Sequence, residues 1–149
     1  MAAIRFKLSV DQTGQLAAPV LTPAQLTEIG NNMVKIQKAR WARAENVANE
    51  SAKPLAKTTA KAKQTFGQNP VRNMLMTGLV WRDFTLRSAT MTEIRAENTS
   101  RAGRMHARKA QSFEQMIGFS PAERNEIFGM AYRAYDVYLQ RAWRPITNG

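Results

Sequence analysis

Residues 21–36 read Leu-Thr-Pro-Ala-Gln-Leu-Thr-Glu-Ile-Gly-Asn-Asn-Met-Val-Lys-Ile, and this stretch decides the fold. Thr22 is placed to cap a helix, and Pro23 suits the first helical position, where its missing N–H costs nothing. Gln25 can reach back to close a capping box, and Leu21 and Leu26 have the spacing of a hydrophobic staple. Leu26, Ile29, Met33 and Ile36 then recur at a 3-4-3 spacing and form one apolar stripe. The stripe continues less cleanly through Trp41, Ala44, Val47 and Ala48, and the next proline is Pro54. The pattern predicts a helix over 22–52, weakened slightly by Gly30. A helix of that length in a 149-residue chain either spans the subunit or projects from it.

Working outward, residues 4–10 alternate apolar and polar strictly, which predicts a half-buried strand. A hairpin is expected over 84–97. Phe84, Leu86 and Ser88 share one face, Thr92, Ile94 and Ala96 alternate with Glu93, Arg95 and Glu97, and the turn falls near 89–91. Residues 98–117 read as loop with a short helix from about Arg104 to Phe113. Ser120-Pro121-Ala122-Glu123 repeats the cap-and-proline logic and starts a helix over 120–143. On that helix Ile127, Ala131, Ala134 and Tyr138 line one strip, and Phe128, Tyr132, Tyr135 and Leu139 line the next. An apolar face that wide needs two covers. The second is either internal core or another subunit, and Phe128, Tyr132, Tyr135, Tyr138 and Leu139 are the candidate subunit interface.

Residues 53–73 lose the helical pattern. Lysines alternate there with Thr, Ala and Gln, and Gly67 and Asn69-Pro70 mark turns, so an extended basic loop is expected. The chain carries 22 basic and 11 acidic residues, a net charge of +11. Between Lys35 and Lys63 the basic residues are Lys35, Lys38, Arg40, Arg43, Lys53, Lys57, Lys61 and Lys63, against Glu45 and Glu50 alone. Such a stretch either binds phosphate or is a solvated face with a soluble loop. Lys53, Lys57, Lys61, Lys63 and Arg72 are the candidate docking or phosphate-facing residues.

Composition argues against most enzyme classes. There is no cysteine, so disulfides, thiolate nucleophiles and cysteine-based zinc sites are absent. The one histidine, His106, sits among Arg104, Arg108 and Lys109, a setting for a surface residue rather than a base. Glu93 and Glu97 fall on a polar strand face, and Glu123 fits a cap, so no carboxylate pair has the setting that tunes an acid against a base. No glycine-rich phosphate loop is present. The expectation is a non-enzyme with no catalytic residue, no cofactor and no metal. The longest apolar run, 74–81, is too short for a membrane span, and the first eight residues hold no apolar signal core.

Several segments in order carry a resemblance. These are the Leu-Thr-Pro-Ala-Gln helix start, Lys53-Pro54-Leu55 with spaced lysines, Asn69-Pro70-Val71-Arg72-Asn73, Leu75-Met76-Thr77-Gly78, a hairpin, and Gly118-Phe119-Ser120-Pro121-Ala122-Glu123. From residue 21 to about 140 the chain resembles the tailed-phage virion morphogenesis family, the tail-completion and head–tail neck proteins. The resemblance implies an α+β fold: a small, mainly antiparallel sheet packed by a long helix in the N-terminal half, with a C-terminal helix and a long basic loop, in a single domain. It implies a structural virion protein at the head–tail junction, assembled in the host cytoplasm into a homo-oligomeric ring, a hexamer. Its partners would be copies of itself, adjoining neck, connector and tail-tube proteins, and DNA passing non-specifically through the channel, with no membrane. The alternative is a small basic non-specific nucleic-acid-binding protein.

Overall fold

The structure is a computed structural model. It describes residues 3–6, 21–74, 78–91 and 93–142, with backbone alone at 3–6 and 137–142. The fold is α+β. The elements in chain order are β1 (Ala3–Phe6), α1 (Pro23–Ala42), α2 (Lys57–Thr65), α3 (Leu79–Asp83), β2 (Phe84–Ala89), β3 (Ile94–Asn98), α4 (Arg101–Phe113) and α5 (Pro121–Ala142). The three strands form one antiparallel sheet in the order β1-β3-β2. β1 runs from Ala3 to Phe6 and overlaps the strand expected at 4–10 over positions 4–6, and positions 7–10 lie outside the described residues.

α1 begins as its sequence requires. Thr22 N donates to Gln25 Oε1 at 2.8 Å and Gln25 N donates to Thr22 Oγ1 at 3.2 Å, closing the capping box. Leu21 and Leu26 are both buried, as a staple demands. Leu26, Ile29 and Met33 face the sheet and the core, and burying a side chain of this size contributes about 1.5–3 kcal/mol. Gly30 sets the approach of helix to sheet. A Cβ there would sit 2.5 Å from Leu86 Cδ1 and 3.1 Å from Ile94 Cγ2. The glycine that weakens the isolated helix thus lets it pack closely on β2 and β3.

The helix expected over 22–52 ends ten residues early, at Ala42. Ala44 adopts a left-handed conformation with φ of 53°. Ala44 N donates to Trp41 O and Glu45 N to Arg40 O, the paired bonds of a Schellman stop. The chain then folds into a tight loop. Asn46 Oδ1 accepts from Ala48 N and Glu50 N, and Glu45 bridges Ser51. Trp41 is fully buried at the end of α1, edge-on to Phe84 with ring centroids 5.2 Å apart. Its Nε1 donates to Met116 O at 2.8 Å.

Three further expectations need correction. The loop placed at 53–73 contains α2, a nine-residue helix. Its helical spacing is masked in the sequence because its buried residue is Lys63 rather than an apolar one. The short helix placed near 104–113 begins at Arg101, because Ser100 caps it: Ser100 Oγ accepts from Gly103 N at 2.9 Å. The hairpin lies where expected, but the register shifts between Leu86 and Ser88. This bulge turns Ser88 outward and Ala89 toward the core, so Phe84, Leu86 and Ser88 do not share one face. α5 starts at its predicted cap, with Ser120 N donating to Glu123 Oε2 and Glu123 N to Ser120 Oγ. Position 143 lies outside the described residues.

Candidate functional site

The predicted cationic residues do not form one patch. Lys57 and Lys61 lie one turn apart on the exposed side of α2, and Lys53 is exposed before it. Lys63 is turned inward and buried. Its Nζ donates to Val71 O at 2.7 Å and Asn73 Oδ1 at 2.6 Å. Burial lowers the Lys63 pKa. Lys63 therefore ties α2 to the 71–73 segment and is not phosphate-facing. Arg72 is likewise spent on structure. Its Nε donates to Lys53 O at 3.1 Å and its Nη2 to Pro54 O at 3.2 Å. The same guanidinium lies 3.7 Å from a Glu114 carboxylate oxygen and 5.6 Å from the centroid of the Phe113 ring. Glu114 also accepts from Lys53 N at 2.7 Å. Lys53, Arg72 and the end of α4 are thus brought together, while Lys57 and Lys61 stand on the outside. Elsewhere in the 35–63 stretch, Arg40 is buried against Glu123 and Arg43 pairs with Glu45.

α5 sorts its two apolar strips. Ile127 and Ala131 are buried in the core. Tyr135 is half-buried against that core. Phe128 is 38% exposed and Tyr132 71% exposed, so the second strip opens to the outside along this part of the helix. Tyr138 and Leu139 belong to α5 by backbone, and their side chains lie outside the described residues.

The residue reading missed the most cationic helix. α4 carries Arg101, Arg104, Arg108, Lys109 and His106 and no acid. Gly103 and Ala107 are buried, and Ala110 packs against the core. Arg101, Met105, His106, Arg108, Lys109 and Phe113 are exposed. The signal was present as small residues at 103, 107 and 110, a helical spacing that reads as no apolar face at all because glycine and alanine carry so little surface.

His106 stands exposed on α4 and faces no carboxylate partner among the described residues. Glu97 is buried at the sheet, 2.6 Å from Arg95 and 3.5 Å from Arg87. Glu123 closes the α5 cap and holds Arg40 Nε at 2.9 Å. Among the described residues no group of three or more His, Asp or Glu side chains is placed to hold a metal ion. No described helix is long and apolar enough to cross a membrane. An open groove of about 550 Å³ runs along α1 beside Thr27, Asn31 and Lys35, and another of about 480 Å³ lies between Val47, Phe119 and Arg124. Compared with protein-family models, with curated proteins and with solved structures, the chain matches none.

Proposed function

We propose that the chain is a structural subunit of a tailed-phage virion, a tail-completion or neck protein that forms a homo-oligomeric ring at the head–tail junction. The observation that carries this reading is on α5: Ile127 and Ala131 are buried while the adjacent Phe128 and Tyr132 are exposed. Exposed aromatic residues of this kind are enriched in the cores of protein–protein interfaces. In a ring each contact is heterologous, so this strip meets a different patch on the next copy. The ordered segments from 21 to about 140 supply the phage assignment. The exposed Lys57 and Lys61 on α2 offer a second contact, to an adjoining neck, connector or tail-tube protein. The reading assigns no catalytic residue and no cofactor.

The test is Phe128→Lys with Tyr132→Lys, followed by native mass spectrometry. Tyr132 is the more exposed of the two, so Tyr132→Lys alone keeps the fold and its melting temperature, and ring species disappear in it as in the double variant. Rings that persist in either variant contradict the assigned interface. The second reading, a small basic non-specific nucleic-acid-binding protein, is favoured by one observation: α2 and α4 carry cations and no acid. It predicts DNA affinity that falls steeply with salt, where the ring reading predicts discrete high-mass species that depend on protein concentration.

A further inference from the structure

We infer that the outer face of α4 is a contact surface for the phosphate backbone of double-stranded DNA. α4 packs by its small side, Gly103, Ala107 and Ala110, which leaves the opposite side to solvent. At the helical repeat of 3.6 residues, Arg101 and Arg108 flank one side of Met105, and Lys109 and His106 flank the other. The three permanent cations fall within about 12 Å of helix length. That density suits duplex DNA, which carries one negative charge per roughly 1.7 Å of axis.

The face stays cationic because the neighbouring carboxylates are engaged elsewhere. Asp83, at the N-terminal end of α4, accepts from Thr99 Oγ1, Ser100 N and Ser100 Oγ. Glu114, at the C-terminal end, accepts from Lys53 N and Asn46 Nδ2 and pairs with Arg72. Among the described residues no carboxylate pairs with Arg101, Arg108 or Lys109. Arg104 is fixed differently, by donation to Asn98 O and Thr99 O, and serves to hold the helix start.

A polyanion fits this face better than a lipid surface does. An interfacial helix turns its apolar side outward. The small side of α4 is inside, and of the outward apolar side chains Met105 stands between cations while the ring of Phe113 is covered on one side by Arg72. Contacts to phosphate alone carry no base information, so binding is independent of sequence. The inference goes beyond the assembly reading, and either can fail alone.

The experiment follows fluorescence anisotropy of two unrelated labelled duplexes of about 20 base pairs with the full chain at about 50 and 200 mM salt. Both duplexes bind alike, and affinity falls about 40-fold or more between the two salts, as three phosphate contacts require. Arg101→Gln, Arg108→Gln and Lys109→Gln together lower the slope of log affinity against log salt by about 2.7 while melting is unchanged. Lys57→Gln with Lys61→Gln lowers it less. The inference is overturned if the triple variant binds like the parent chain, or if the α2 pair carries the loss. It is also overturned if anionic phospholipid vesicles bind the chain and the duplexes do not. Mass is measured on the same samples. Rings whose DNA binding ignores α4 overturn this inference alone, and a monomer that binds through α4 overturns the ring alone.

Discussion

Arg40 lies in the last turn of α1 and is fully buried. Its Nε donates to Glu123, its Nη2 to Gly118 O at 2.6 Å, and its Nη1 to Met116 O at 3.3 Å and Glu45 O at 3.5 Å. Burial lowers the Arg40 pKa, opposed by the charge and hydrogen bond of Glu123. Gln37 adds to the same strap: Nε2 donates to Met116 O, and Oε1 accepts from Gly118 N. The planar fork is what serves several acceptors at once, and a lysine cannot reproduce it. Arg40→Met leaves the Glu123 carboxylate without its cationic partner and costs about 3–5 kcal/mol. Arg40→Lys costs nearly as much, read by urea unfolding; recovery of most of the stability by lysine contradicts the fork. None of this was legible in the sequence. The buried stripe of α1 continues from Met33 into Gln37 and Arg40, where a polar residue reads as surface. The partners that make it interior lie about eighty positions away. Ala44 is similar: a helix stop usually announces itself with glycine, and here an alanine takes the left-handed position.

At the scale of elements, starts were more legible than stops. Caps and prolines at Thr22-Pro23 and Ser120-Pro121 are local chemistry, so both helices begin where the residues say. α4 begins early because a distant carboxylate joins its cap. Asp83 accepts from Thr99 and Ser100, and a Cβ at Gly103 would run into that carboxylate. Burial raises the Asp83 pKa, but the hydrogen bonds from Thr99 and Ser100 and the nearby Arg104 outweigh it, and the net shift is downward. A carboxylate with a depressed folded pKa contributes stability above its unfolded value that is lost as pH falls through the folded one. Asp83→Asn therefore costs about 1–2 kcal/mol at neutral pH. That difference from the parent chain shrinks below about pH 4, the ordinary carboxylate range. Denaturant unfolding at both pH values checks it, and a gap that stays constant with acidification contradicts the role given to the ionised group. α2 was missed for the opposite reason, since Lys63 occupies the position where an apolar residue would have revealed a helix.

For the whole molecule, the α+β architecture was legible because its parts follow from simple periods. One helix has a stripe of Leu26, Ile29 and Met33, and one hairpin alternates around Phe84 and Ile94. What the chain offers its surroundings was less legible. Five nominated cations were separated by the fold into exposed Lys53, Lys57 and Lys61 and structural Lys63 and Arg72. The more cationic α4 was passed over. The aromatic strip of α5 could be divided between core and surface only once Ile127 and Ala131 were placed inside. The account rests on Phe128 and Tyr132 being surface that another copy covers. Sedimentation velocity of the purified parent chain over a wide concentration range tests this most directly. The account predicts a discrete ring species, a hexamer, whose share grows with concentration. A single monomeric boundary at every concentration contradicts it.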